Sequence, residues 1–285
     1  MTALKKKDAT AALYEFEDIK LTDKMFAKFA EKMYDLAGVD LPNTAKNHAL
    51  IRNRIVKILR RHSFSSYEQY WDYLEGGGAE KTSEFVSALT TNMTSFYRES
   101  NHFDFLASIL PEIQKKFGND VRLWCAAAST GQEPYTIAIT AHETLGDKVR
   151  ILATDIDLQV LKKASSGTYE EREMQGLPPV QRTKYFDKVK SKDTEYFRAK
   201  DSIHKMIRFA PFNLMNPKYE FQNKFHVIFC RNVLIYFDEA TTKSVIEKLT
   251  SCLAPGGYLV LGHSESGNVK HPELKPLSRA VYQKL

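Results

Sequence analysis

Two patterns of apolar and polar residues divide the chain. From about residue 18 to residue 90, apolar side chains recur at helical spacing among charged ones, with turn signals at residues 41–44 and 76–78. After about Val121, short apolar runs alternate with helical stretches. The first pattern predicts a small all-α domain. The second predicts βαβ units around a parallel sheet, hence an α/β fold.

The strand candidates of the second region are VRLWCA, VRILATD, FHVIFC, YLVLGH and AVYQ, and a helix is predicted from about Glu239 to Cys252. Such a sheet carries helices on both faces and binds ligands at the carboxyl ends of its strands. A polar insertion at about residues 169–209, with weak strand signals in TEYFRA and KMIRFA, interrupts the alternation. We predict a flexible tail over residues 1–15, a helical domain over 16–90 and an α/β domain over 91–285 that contains this inserted β-subdomain.

Composition is ordinary for a soluble protein, with 43% apolar residues. Cys125, Cys230 and Cys252 each lie in an apolar run, which favours buried thiols over disulfides or a zinc site. The N-terminal lysines are followed by no apolar signal-peptide segment, and no apolar stretch approaches the roughly 20 residues that cross a membrane. We expect a cytoplasmic protein.

Charge is concentrated on one predicted helix. The net charge is +6, and residues 45–67 contain no acidic residue. Ile51, Ile55, Ile58 and Leu59 form an apolar stripe on this helix. Four basic residues lie around its other side: Arg54, Lys57, Arg60 and Arg61. This basic face suits an acidic protein surface, a nucleic acid or an anionic lipid, and a solvated face is equally compatible with it.

The turn after the first strand is the best candidate for a ligand site. Residues 126–131 are Ala, Ser, Thr and Gly, and Gly131 is the single glycine where a dinucleotide fold needs G-x-G-x-x-G. That pattern disfavours a pyrophosphate but suits S-adenosylmethionine, which carries no phosphate. The second strand ends at Asp155, where a carboxylate can accept from both ribose hydroxyls. Asp157 is interpreted as the N-cap of the next helix.

Six segments then occur in a recognisable order: TNMTSFYRES, AAASTGQEPY, LATDID, FNLMN, FCRNVLIYF and GHSES. The chain resembles the CheR family of chemoreceptor glutamate methyltransferases over nearly its whole length. The resemblance implies a helical domain followed by a Rossmann-like S-adenosylmethionine methyltransferase sheet with an inserted small β-subdomain. It also implies cofactor contacts, with no metal, at these residues: Asn92, Thr94, Arg98, Glu133, Asp155, Asn213, Leu214, Arg231 and Asn232. Gln132 stands where the family often has an acidic residue.

The chemistry of the implied reaction needs no general base. A glutamate has an intrinsic pKa of about 4.3 and is already ionised at neutral pH. The site must instead orient this anion toward the sulfonium methyl and exclude water. We expect Tyr236 to orient the carboxylate and Arg98 to guide it, although a core tyrosine and a surface ion pair are the structural alternatives. The products are a glutamyl methyl ester and S-adenosylhomocysteine.

The resemblance implies that the cytoplasmic helices of membrane receptor arrays are the partner, with the basic face as a docking surface. A receptor C-terminal peptide could also add to the β-subdomain, but residues 187–202 lack the glycines expected of such a loop, and this stays open. A nucleic-acid methyltransferase is weakened because CRNVLIY occupies the slot where an amino methyltransferase carries an N-P-P-Y-like motif. A non-catalytic S-adenosylmethionine-binding module is the third hypothesis. We predict a structural role for His263 and Ser264 rather than a hydrolase site.

Overall fold

The computed structural model describes residues 19–191 and 194–285, so the predicted tail over residues 1–15 lies outside the described residues. The chain separates into two compact units, one ending at Thr91 and one running from Asn92 to Leu285. None of the described helices is both long and apolar enough to cross a membrane.

The first unit is a group of helices packed around aromatic side chains. Its described helices are α1 (Asp23–Ala37), α2 (Ala45–His62), α3 (Tyr67–Glu75) and α4 (Ala79–Leu89). Thr22, Thr44 and Ser66 cap the first three by accepting a backbone N–H, as short hydroxyl side chains do at helix starts. The ring of Phe29 is fully buried and lies 6.2 Å from that of Tyr67. The predicted apolar stripe of α2 is buried, which confirms its amphipathic pattern.

The second unit is a layered α/β structure. Its described helices are α5 (Asn101–Phe117), α6 (Gln132–Leu145), α7 (Leu158–Ser166), α8 (Pro179–Tyr185), α9 (Asp201–His204) and α10 (Glu239–Cys252). Its described strands are β1 (Val121–Cys125), β2 (Val149–Asp155), β3 (Thr168–Glu170), β4 (Phe186–Ser191), β5 (Thr194–Ala199), β6 (Ile207–Pro211), β7 (Phe225–Cys230), β8 (Leu253–Leu261), β9 (Leu274–Ser278) and β10 (Val281–Lys284). Helix α10 and the first two strands fall where the apolar pattern predicts them.

Seven strands form the main sheet in the order β6-β2-β1-β7-β8-β10-β9. The first five are parallel, whereas β10 runs antiparallel to both of its neighbours, so the sheet is mixed rather than wholly parallel. Alternate side chains of β1 enter different cores: Leu123 and Cys125 pack on one side, and Trp124 packs on the other. The α/β fold class is confirmed as a Rossmann-like mixed sheet.

A separate three-stranded antiparallel sheet follows α7, in the order β3-β5-β4. It contains TEYFRA as β5, as the weak strand signal predicts. KMIRFA, however, supplies β6, and Ile207 of this strand pairs in parallel register with Ile151 of β2 in the main sheet. Its assignment to the insertion is therefore wrong, because the choice of a strand partner depends on contacts that a local apolar pattern does not encode.

Candidate active site

The small-residue turn at residues 126–131 connects β1 to α6. Ser129 and Gly131 have φ angles of 48° and 100°, so two residues of this turn adopt the left-handed region. At Gly131 a Cβ atom would lie 2.5 Å from the Tyr169 hydroxyl and 2.9 Å from Ala164 Cβ. Glycine is therefore required here by close packing as well as by its backbone angle.

Asp155 ends β2 beside this turn. Its Oδ2 accepts the backbone N–H of Ser129 at 2.8 Å and its Oδ1 that of Asp157 at 3.0 Å. Burial raises the pKa of Asp155, an effect that these two hydrogen bonds oppose. The backbone of Ile156 also hydrogen-bonds to this carboxylate, so about one of its roughly four acceptor positions stays open for a ligand hydroxyl.

Asp157 caps α7, as its position before the helix predicts. Its side chain accepts the backbone N–H groups of Gln159 and Val160. It also accepts from the Asn92 side-chain amide at 2.9 Å. The Asn92 carbonyl in turn accepts from the Ser129 hydroxyl at 3.0 Å. Asn92 is thereby held against both the end of β2 and the small-residue turn.

A buried arginine links the remaining segments. The guanidinium of Arg231, just after β7, donates to Glu133 Oε2 at 2.7 Å, to Glu99 Oε2 at 3.0 Å and to the Arg98 carbonyl at 2.6 Å. Burial alone lowers the pKa of Arg231, but the two carboxylates outweigh it and the pKa is raised. Both terminal nitrogens of Arg231 are thus engaged inside the protein, whereas its buried Nε has no hydrogen-bond partner among the described residues, and a direct cofactor contact by Arg231 stays a prediction.

Glu99 is a site residue that the sequence does not single out. It adopts a φ of 57° and accepts from Arg231, from the Asn232 side chain at 3.3 Å and from the His263 backbone N–H at 3.1 Å. Burial raises the pKa of Glu99, but the hydrogen bond and charge of Arg231 outweigh this and lower it. The only sequence signal was its place in the segment TNMTSFYRES.

Glu99, His102 and His263 offer ligand atoms within 4.8 Å of one another, which raises the question of a metal. Burial lowers the pKa of His102 to about 4, so the imidazole is neutral at pH 7. However, Arg231 Nη2 lies 3.0 Å from Oε2 of Glu99. The guanidinium is therefore already the cation that pairs with Glu99.

The two residues expected to handle the substrate lie in adjoining segments. Arg98 is partly buried and donates to the Met93 carbonyl at 2.9 Å, while Thr94 lies in the same loop, also partly buried. Tyr236 ends a 3-10 helix, Leu234–Tyr236, and is partly buried. No described residue forms a hydrogen bond with its hydroxyl, which leaves this group available to a ligand.

The segment after β6 closes the same edge of the sheet. The backbone N–H of Phe212 donates to the Asp155 carbonyl at 3.0 Å. Asn213 Oδ1 accepts the Met215 N–H at 2.9 Å, and the carbonyl of the buried Leu214 accepts from the Lys248 ammonium at 3.0 Å. The implied cofactor residues are therefore gathered at the carboxyl ends of β1, β2, β6 and β7.

The basic face of α2 is less uniform than its sequence suggests. Arg54 is partly buried and donates to the carbonyls of Ala88 and Thr90 within the helical unit. Arg61 is exposed and forms an ion pair with Glu84 at 2.6 Å. Lys57 and Arg60 are exposed. Arg54 thus stabilises the end of α4, and the outward part of the face consists of Lys57, Arg60 and Arg61.

Comparison with known proteins agrees with this arrangement over both units. Residues 24–90 match the family described as CheR methyltransferase, all-alpha domain, and residues 92–282 match CheR methyltransferase, SAM binding domain. The chain is 36% identical over 280 residues to the chemotaxis protein methyltransferase of Borreliella burgdorferi, covering 94% of this chain and 96% of that protein. It is 36% identical over 261 residues to that of Escherichia coli, with coverages of 90% and 88%. For that of Salmonella typhimurium, identity is 34% over 287 residues, with coverages of 99% and 98%.

The two family matches together extend over most of the chain, and the curated relatives align with it over nearly their full lengths. This chain therefore belongs to the CheR family of chemotaxis protein methyltransferases, with an all-alpha domain followed by an S-adenosylmethionine-binding domain.

Proposed function

We propose that this protein transfers the methyl group of S-adenosylmethionine to glutamate side chains on the cytoplasmic helices of chemoreceptors, forming glutamyl methyl esters. The observation that carries the proposal is the Arg231 network, which joins the loop bearing Arg98 to Glu133 and to the turn bearing Tyr236. Through this network, groups that suit a cationic cofactor and an anionic nucleophile lie together at one edge of the sheet.

The residues present fit S-adenosylmethionine by their chemistry. Asp155 retains an acceptor position for a ribose hydroxyl, as described above. Glu99 and Glu133 face a single guanidinium, so this cluster holds two carboxyl groups for one basic side chain. The cofactor brings an ammonium, a sulfonium and a carboxylate, so it is a net cation that suits an acidic cluster, and the sulfonium supplies an electrophilic methyl group. Glu133 is proposed to receive the ammonium.

The substrate carboxylate requires orientation rather than deprotonation. The partly buried Arg98 guanidinium is proposed to attract the carboxylate, and the Tyr236 hydroxyl is proposed to donate a hydrogen bond to it. The charges of the nucleophile and the sulfonium cancel as the methyl moves. A site that excludes water therefore favours the transfer over the separated ions.

We propose that Lys57, Arg60 and Arg61 attract acidic receptor helices. Long-range attraction of this kind accelerates association and weakens with salt, since the screening length is about 8 Å at physiological ionic strength. Arg54 contributes mainly by holding the end of α4, given its hydrogen bonds to Ala88 and Thr90.

A single assay tests this function against its rivals. The protein is incubated with methyl-labelled S-adenosylmethionine and a receptor cytoplasmic fragment, and the product is then treated with mild alkali. A glutamyl methyl ester releases labelled methanol, whereas a methylated base retains its label and a pure binding module yields no labelled product. Label that survives alkali, or no label at all, would refute the proposal.

A further inference from the structure

Glu265, in the segment GHSES, places its carboxylate among four backbone donors. Oε1 accepts the N–H groups of Val233 at 2.8 Å and Leu234 at 2.7 Å, and Oε2 accepts those of Asn232 at 2.8 Å and Gly262 at 2.6 Å. The residue is 7% exposed. Among the residues that the structure describes, none pairs a lysine or arginine with it within 4.0 Å, so backbone dipoles alone stabilise its charge. Burial raises its pKa, and the N–H groups oppose that rise by binding the charged form.

Three of these donors belong to the turn that leads to Tyr236. The first N–H groups of a helical turn have no partner within the turn and need an outside acceptor. The 3-10 helix Leu234–Tyr236 is preceded by Val233, whose side chain has no acceptor atom. Glu265, 31 residues beyond Leu234, supplies the acceptor instead. The orientation of this turn therefore depends on a side chain from the 3-10 helix His263–Asn268, which follows β8.

The surrounding residues are arranged for this close approach. A Cβ on Gly262 would lie 2.5 Å from the Asn232 side-chain nitrogen and 2.6 Å from Glu265 Oε2, so a larger residue here would displace one of these two side chains. Asn232 itself has a φ of 57° and donates from its side chain to Glu99 at 3.3 Å. The buried carboxylate of Glu265 thus holds Asn232 through its backbone, and the partly buried carboxylate of Glu99 holds it through its side chain.

We infer that Glu265 is a positioning residue for methyl transfer, which fixes the Asn232–Tyr236 turn so that the Tyr236 hydroxyl meets the incoming carboxylate. The expected effect on methyl transfer rests on the proposed function, whereas the hydrogen bonds of Glu265 do not. A misplacement of a reacting group by about 1 Å can cost on the order of 100-fold in rate. A turn that loses its anchor can move by such a distance without any loss of the fold.

Glu265→Gln tests the inference because glutamine has nearly the same volume but a single acceptor oxygen. Its NH2 group cannot accept, so the N–H groups that faced the second oxygen lose their acceptor. We expect kcat per folded molecule to fall on the order of 10- to 100-fold. The matched control is Glu247→Gln on the exposed face of α10, which should retain full activity. An unchanged kcat in Glu265→Gln would overturn the inference.

A double substitution distinguishes positioning from a general structural role. If Glu265 acts through Tyr236, adding Glu265→Gln to Tyr236→Phe should lower kcat little further, since residues that act as a unit are not additive. Losses that multiply in the double variant would refute action through Tyr236. If Glu265→Gln fails to fold, Glu265→Asp keeps the charge while withdrawing the carboxylate, and a wild-type kcat in that variant would also overturn the inference.

Hydrogen exchange provides a readout that needs neither substrate nor turnover. In Glu265→Gln the amides of residues 232–234 should exchange faster, while those of β7 keep their protection. Unchanged exchange over this turn refutes the anchoring itself. Failure of the wild-type protein to form an alkali-labile methyl ester refutes the proposed function, and the exchange result then still decides whether Glu265 holds the turn.

Discussion

Replacing Arg231 with methionine should destabilise the protein by about 3–5 kcal/mol at neutral pH, because it leaves buried carboxylates without their cation. The guanidinium donates to Glu133, to Glu99 and to the Arg98 carbonyl, and its side chain has no solvent exposure. The net stability of a folded protein is about 5–15 kcal/mol, so this loss is a large share of it. Methionine has a similar length, which separates loss of charge from loss of volume.

The destabilisation should depend on pH with a definite sign. The pKa of Glu99 is lowered from 4.5 by Arg231 in the folded protein, so its contribution to stability is present above pH 4.5 and is lost as pH falls through the folded pKa. Without Arg231, the stabilisation that lowers this pKa is largely lost, while the burial that raises it remains. The difference in the free energy of unfolding between wild type and variant should therefore be largest near pH 7. It should decrease toward pH 4.5 and below.

Urea denaturation followed by circular dichroism at several pH values between 4 and 7.5 measures this difference. Arg150→Met is the matched control, because the Arg150 side chain is 84% exposed and its only ion pair among the described residues is a 3.8 Å contact with Asp120. We expect that control to change stability by less than about 0.5 kcal/mol. A destabilisation of Arg231→Met below about 1 kcal/mol at pH 7, or a difference that increases as pH falls, would contradict the role assigned to this cation.

Three further substitutions test the site. Tyr236→Phe should keep S-adenosylmethionine binding, measured by calorimetry, while kcat falls on the order of 100-fold; full turnover in a folded variant would remove the proposed role. Tyr169→Phe deletes the hydroxyl that donates to the Thr130 carbonyl at 3.0 Å. Cofactor binding should weaken about fivefold, since a net hydrogen bond contributes about 1 kcal/mol. Unaltered affinity would show that this contact does not order the turn. Lys57→Glu combined with Arg60→Glu should raise KM for the receptor fragment without changing cofactor affinity, and the defect should shrink with added salt; a salt-independent defect would contradict steering.

Local features of this protein could be predicted from its sequence because their causes lie within a few residues. The buried stripe of α2 follows from apolar spacing, and the cap at Asp157 follows from an acid placed before a helical run. Gly131 was identified as the one glycine of the small-residue turn, and the structure supplies the reason, a Tyr169 hydroxyl where a Cβ would be. The strand-and-helix alternation was sufficient for the fold class, since each strand carries its own apolar pattern.

Tertiary structure alone decided features whose partners are distant in the chain. The sequence places β6 in the insertion, and only its pairing with β2 assigns it to the main sheet. The sequence likewise places Arg54 on the docking face, and only its carbonyl partners show that it holds the end of α4. Glu99 meets Arg231 across 132 residues. A glutamate is the same residue in the sequence whether its carboxylate is solvated or anchors a turn. Its role is determined by the groups that folding brings around it.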